Sequence, residues 1–157
     1  MLRTCAGYTG GSTPEPEYHA LGDHTEALQL EFDPRLISYE QLLGELGAPG
    51  RAAWKRQYRW AIFAHSDEQL AIARRVAAPF IDVERAGPFY RAEGYHQKYR
   101  LRRLPWLLER AGADFVDSTL GARLNALAGG HLKLADLEAE LGPQPHLHEA
   151  AARLGAA

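Results

Sequence analysis

An α+β fold with a helical extension at its C-terminal end is predicted for this chain, and three observations carry that reading. Leu28, Leu30 and Phe32 alternate with Gln29, Glu31 and Asp33, the period of a strand with one buried and one wet face. Ser38 with Gln41 and Ser66 with Gln69 each place a serine three residues ahead of a glutamine, the pattern in which two side chains satisfy the free amides at a helix start. From Leu104 onward, leucines at helical spacing replace strand-like patterns. The division expected is residues 1–103 for the α+β part and 104–157 for the helical extension.

Taken in order, residues 7–16 are a loop by composition, dense in Gly, Pro, Ser and Thr. The first clear strand follows and is ended by Asp33-Pro34. A helix opens at Ser38, with Gly47 as its stop. Trp60–Ala64 reads as a strand. The helix opened by Ser66 is expected to carry Leu70, Ala73, Val76, Ala77 and Phe80 on its inner face. Ile81–Arg85 is a short strand. Pro105 suits a first helical position because its missing amide hydrogen is not needed there. Asp117 or Ser118 caps a helix through Leu120, Leu124 and Leu127, stopped by Gly129-Gly130. Leu134, Leu137 and Leu141 mark another, ended at Gly142-Pro143, after which the chain is expected to fray.

The 157 residues suffice for one ordinary domain with an appendage, and 46% apolar residues suffice for a core. A net charge of −2 offers no basic face for nucleic acid or an anionic membrane. No apolar run reaches the length of a membrane span, and the N-terminal residues lack a signal-peptide hydrophobic region. The single cysteine, Cys5, excludes an internal disulfide. A cytoplasmic monomer is expected.

The residues that invite chemistry are polar and aromatic. Tyr18, Asp23, His24 and Glu26 lie around the start of the first strand, Tyr58 precedes the second, and Tyr90, Glu93, Tyr95, His96 and Tyr99 follow Phe89. A carboxylic acid flanked by tyrosines can hold a polar oxygen and give it a proton if burial raises its pKa. A carboxylate at a strand edge is more often simply solvated, and tyrosines are common at core edges. His19, His24 and His96 do not have the spacing of a zinc site, and no metal is expected.

Several segments together resemble peptide methionine sulfoxide reductase A. They are Gly7-Tyr8-Thr9-Gly10-Gly11, Pro14-Glu15-Pro16-Glu17-Tyr18, and His24-Thr25-Glu26-Ala27 leading to Phe32-Asp33-Pro34. Ile37-Ser38-Tyr39-Glu40-Gln41-Leu42-Leu43 and Gln57-Tyr58 before Ala61-Ile62-Phe63 follow, then Phe89-Tyr90-Arg91-Ala92-Glu93 with Tyr95-His96-Gln97-Lys98-Tyr99. Their order and spacing, over residues 4 to 101, are the family's. The resemblance implies a ferredoxin-like α+β sandwich that reduces the S epimer of methionine sulfoxide, free or in proteins. It implies a cysteine thiolate attacking the sulfur, Glu26 protonating the departing oxygen, and Tyr18 and Tyr58 hydrogen-bonding that oxygen. The cysteine is left as a sulfenic acid, which thioredoxin or another thiol such as dithiothreitol reduces; no other cofactor is implied.

The chain also departs from that pattern. The family's nucleophile sits in a Gly-Cys-Phe-Trp-Gly motif well ahead of the Gly-Tyr-x-Gly-Gly segment, and here that place falls before Met1. The expectation is a reductase whose first strand and helix, with the cysteine, lie upstream of Met1 in a longer reading frame. The alternative is a short paralogue that binds methionine sulfoxide or a peptide without reducing it. Cys5 occupies a second-strand position that the family does not use for catalysis and is expected to be structural. Ala53 stands where the family usually has an aspartate, and Gly47-Ala48-Pro49 lacks the usual His-Asp ahead of proline.

Overall fold

The computed structural model describes residues 2–47 and 49–155; Met1, Ala48 and the last two alanines, Met1 and Ala48 among the positions weighed above, lie outside the described residues. The fold is mixed. Strand β1 (Arg3–Thr9) is followed by β2 (Thr25–Glu31), helix α1 (Tyr39–Gly44), a 3₁₀ turn (Arg56–Tyr58), β3 (Ala61–Ala64), α2 (Asp67–Val76), β4 (Asp82–Arg85) and β5 (Tyr90–Arg91). Short helices complete the chain: α3 (Tyr99–Arg102), α4 (Pro105–Leu108), α5 (Thr119–Ala128), α6 (Leu134–Leu141), a 3₁₀ turn (Pro145–Leu147) and α7 (His148–Arg153). No described helix is long and apolar enough to cross a membrane.

Two compact units divide these elements. One is Ala6–Glu93; the other runs from Gly94 onward and includes the leading residues to Cys5. The structural boundary therefore falls ten residues ahead of the sequence-based one at 104, because Leu101 of α3 is fully buried in the helical core with Leu107, Leu124, Leu127, Leu137 and Leu147.

In the Ala6–Glu93 unit, β1 runs through Gly7, Tyr8 and Thr9, so the loop begins at Gly10 rather than at residue 7. Side-chain packing overrides the Gly-rich composition here: Tyr8 is buried with Leu21 and Ala92, and Gly7 pairs with Arg91 of β5. Gly10 turns the chain at φ +76°, where a Cβ would meet the Phe63 ring at 2.5 Å and the Arg59 guanidinium at 2.8 Å. The three-stranded sheet has the order β2-β1-β5, and β3 pairs with β4 in a second, parallel sheet in the register Ala61 with Asp82 to Ala64 with Arg85. Parallel strands need a crossover, and α2 provides it.

Both serine caps form. The Ser38 hydroxyl accepts from the Gln41 amide at 3.2 Å, and the Gln41 side chain returns to the Ser38 amide at 2.9 Å. Ser66 accepts from the Gln69 amide at 3.1 Å, but the Gln69 side chain accepts from the His65 amide instead. Helix α2 stops at Val76, and Phe80, expected on its inner face, is 58% exposed at φ +71°. The run ends because Ala77 turns to φ −59°, ψ 131°, ahead of Pro79.

The strand expected to bury Leu28, Leu30 and Phe32 forms, but its apolar row is not covered. Leu28 is 60% exposed, and Leu30 and Phe32 are half-buried. The row lines a cleft of about 310 Å³ whose other walls are α1, β3 and Phe89. Both β2 and β3 are edge strands of their sheets and line this cleft.

The helical unit matches its pattern more fully. Pro105 starts α4. Ser118, rather than Asp117, caps α5 by accepting from the Gly121 amide at 2.9 Å. The fraying expected after Pro143 is corrected as far as Arg153: Leu147 and Ala151 are fully buried against the leucine core, which holds the terminal turn and α7 in place.

Candidate functional site

The three residues singled out for sulfoxide chemistry lie on three different segments of the Ala6–Glu93 unit: Tyr18 in the loop after β1, Glu26 at the start of β2, Tyr58 at the end of the 3₁₀ turn. The fold brings them together. The Tyr58 phenol is raised above its ordinary pKa, chiefly by lost hydration, then by the proximity of Tyr18 and Glu26 and a hydrogen bond with Tyr18. Its side of the cluster is open, with Tyr58 44% exposed. Glu26 is exposed as well, not buried.

Each member is held by neighbours. The Gln57 amide donates to Glu26 Oε1 at 2.6 Å, fixing the carboxyl beside the turn that carries Tyr58. Arg56 ties that turn to the loop by donating from Nε to the Asp23 carbonyl at 2.7 Å and from Nη2 to the Gly10 carbonyl at 2.9 Å. Arg59 donates to Thr25 Oγ1 at 2.8 Å, to Asp82 at 3.0 Å and, through two nitrogens, to Glu84. That guanidinium, 10% exposed, holds the Glu84 carboxyl below the usual carboxylate range and anchors the turn to β4.

The Tyr18 loop is fastened at two points. Glu93 accepts from the Tyr18 amide at 2.9 Å and from the Tyr8 hydroxyl at 2.6 Å. Asp23 accepts from the amides and hydroxyls of both Ser12 and Thr13, and these bonds, led by the Ser12 and Thr13 amides, hold its carboxyl far below the ordinary range. His24, almost fully buried, has Nε2 2.8 Å from the Thr13 carbonyl, which can only accept; the ring is thus Nε2-protonated, and Nδ1 has no partner among the described residues.

Of the wider set, Tyr90 packs edge-on against His24 with ring centroids 5.3 Å apart, while Tyr95, His96 and Tyr99 belong to the other unit. Among the described residues, no group of three or more His, Cys, Asp or Glu could hold a metal ion. Cys5 is half-buried inside β1. Gln57, Arg56 and Arg59 were not singled out from the sequence. Gln57 stood beside Tyr58 in a quoted motif, but nothing in its spacing predicts a bond to a carboxyl 31 residues away. Two phenols and one carboxyl thus converge at the Tyr18–Glu26–Tyr58 cluster.

Comparison with known proteins bears on what that acceptor is. A model of the family described as "Peptide methionine sulfoxide reductase" matches residues 1–46. A peptide methionine sulfoxide reductase of Nitrobacter winogradskyi is 39% identical over 124 residues, covering 67% of this chain and 69% of the relative. The chain belongs to the peptide methionine sulfoxide reductase family. A member from Arabidopsis thaliana is 36% identical over 150 residues, covering 82% of the chain and 59% of the relative, so the chain spans about three fifths of that protein's length. Among solved structures, methionine sulfoxide reductase A of Corynebacterium diphtheriae superposes with a TM-score of 0.53 at 25% identity, covering 66% of this chain and 64% of the other. The matched model spans Tyr18 and Glu26 of this reductase-family chain but ends before Tyr58.

Proposed function

We propose that the chain binds a methionine S-sulfoxide, in proteins or free, with the sulfoxide oxygen at the Tyr18–Glu26–Tyr58 cluster, and that it serves sulfoxide reduction with a thiol as reductant. The observation that carries the reading is the meeting of Tyr58 with Tyr18 and Glu26. A sulfoxide oxygen is a strong acceptor and a poor leaving group until protonated. The two phenols donate to it, and the carboxyl, open in the free chain, supplies the proton once the bound sulfoxide excludes water from it. In the balanced reaction two thiols are oxidised to a disulfide, the sulfoxide becomes a thioether, and the oxygen leaves as water with the two thiol protons. The first thiol attacks the sulfur and is left as a sulfenic acid, and thioredoxin or dithiothreitol can serve as the second thiol that reduces it; no metal or organic cofactor enters.

Cys5 is assigned a structural role, because it is half-buried in the middle of a strand. The attacking thiol then comes from outside these residues. The open edges of β2 and β3 on either side of the cleft fit the ferredoxin-like sandwich of the family, completed by a further strand between them, with the helical unit from Gly94 onward as an extension. A cytoplasmic monomer accords with a thiol-dependent reaction.

The test has two arms. Binding of N-acetylmethionine S-sulfoxide amide, followed by calorimetry, is expected to weaken about tenfold or more in Tyr58→Phe and in Glu26→Ala, each of which removes one hydrogen-bonding group from the oxygen. Equal affinity in parent and both variants would reject the cluster as the site. In parallel, turnover of a dabsylated methionine S-sulfoxide with dithiothreitol is compared for the parent and Cys5→Ser. Activity abolished by Cys5→Ser would overturn the structural role of Cys5; absence of turnover in both, with binding intact, is the expected outcome for a chain that holds the sulfoxide without its own nucleophile.

A further inference from the structure

Beside the cluster, on the far side of Tyr58, lies a groove of about 580 Å³ walled by Pro49, Arg51, Ala53, Trp54, Tyr58 and Trp60. It shares Tyr58 with the proposed sulfoxide site, so whatever is bound there sits directly next to the sulfoxide. Its aromatic walls are unusually open: Trp54 is 76% exposed and Trp60 44%. Trp54 and Tyr58 face one another with ring centroids 6.3 Å apart, and the Lys55 ammonium lies 4.5 Å over the Trp54 ring. Large exposed aromatics flanking a concave surface mark recognition rather than core.

The segment that walls the groove is one-sided in charge, with the Glu26 carboxyl on the other side of Tyr58. Residues 47–60 contain Arg51, Lys55, Arg56 and Arg59 and not one Asp or Glu, in a chain whose net charge is −2. Two of these cations are already committed: Arg56 to the carbonyls of Gly10 and Asp23, and Arg59 to Asp82 and Glu84. Arg51 lines the groove and Lys55 lies over its tryptophan, and neither makes an ion pair among the described residues.

We infer that this groove is a subsite for the residue next to the oxidised methionine in a peptide, and that it prefers an acidic residue there. The inference rests on the sulfoxide reading above and extends it from the oxygen to the sequence around it. The backbone and stem of the flanking residue lie on Trp54 and Trp60, and its carboxylate reaches Arg51 and Lys55. Because both cations are exposed, the preference is moderate and falls as salt rises.

The test uses the full chain and three ligands: N-acetylmethionine S-sulfoxide amide, a pentapeptide with Asp on both sides of the S-sulfoxide, and the same peptide with Lys there. Affinities are read from tryptophan fluorescence at low and high salt. The parent is expected to bind the Asp peptide about fivefold tighter than the Lys peptide at low salt, with the gap narrowing as salt is added. The double substitution Arg51→Glu, Lys55→Glu, on exposed positions, is expected to reverse the order. If the amide binds but the two peptides bind alike, or the double variant keeps the parent's order, the subsite is rejected while the sulfoxide site stands. If the amide itself does not bind, the sulfoxide reading fails and the subsite falls with it.

Discussion

The helical unit and the Ala6–Glu93 unit are built to different degrees of closure. In the helical unit, Leu101, Leu107, Leu124, Leu127, Leu137 and Leu147 come from four helices and a 3₁₀ turn, each almost fully buried against the others. In the Ala6–Glu93 unit the buried apolar residues are scattered, Tyr8, Leu21 and Ala92 in one cluster and Ile62, Ala64 and Ala73 apart from it, while Leu28, Trp54, Trp60 and Phe80 face solvent. The difference shows what each unit is for. Leucines at helical spacing need only one another, so the helical unit closes its leucine core on itself, although Tyr95 and Tyr99 stay open to solvent. The other unit spends its order on polar contacts that position a site and leaves a cleft beside it.

The contrast is broken or sharpened most strongly by cavity-forming substitutions. Leu137→Ala in the helical core is expected to cost about 2–5 kcal/mol in urea denaturation, the range for a fully buried leucine. Leu28→Ala in the cleft is expected to change stability by less than about 0.5 kcal/mol, because most of that side chain is already in water. Equal costs at the two positions would show that the cleft is closed in solution. Between these extremes, Ser118→Ala removes the cap of a helix with a buried face and is expected to cost about 1 kcal/mol, measured in the same way.

The smallest expected effect is on pH dependence. The Asp23 carboxyl is held below its ordinary pKa, so its contribution to loop order is complete above the ordinary carboxylate range and fades as pH falls through that range and below it. The protection factors of the Ser12 and Thr13 amides, corrected for the slowing of intrinsic exchange in acid, should therefore fall as the pH is lowered, and in Asp23→Asn they should be low already at neutral pH and lose this acid dependence. Protection factors in the parent that stay the same down to about pH 1.5, below the ordinary carboxylate range, would deny the carboxylate that role.

Much of the local structure was legible because its causes are local. Ser38 and Ser66 cap as their spacing requires, Pro105 starts a helix, and leucine spacing located α5 and α6. The loop predicted over residues 7–16 was drawn too early because composition does not register that Tyr8 is packed on Leu21 and Ala92. The strand at Leu28 was readable, but the exposure of its apolar row was not: alternation shows which side chains share a face, not whether another layer covers it. At the site, Tyr18, Glu26 and Tyr58 could be chosen only through family resemblance, since residues so far apart in sequence carry no mutual spacing signal. Their supports were less visible still. Gln57 and Arg59 act through partners 23 to 34 residues away, contacts that exist only once the 3₁₀ turn lies against the start of β2.

The knot at Asp23 has a kinetic consequence. One carboxylate gathers the Ser12 and Thr13 amides and hydroxyls, and Glu93 clamps the Tyr18 amide farther along the same loop. The segment that presents Tyr18 is therefore ordered before any ligand arrives. A ligand that reaches Tyr18 meets a loop already in place, so little loop entropy is lost in the encounter, and association is limited by collision and orientation, not by a closing step.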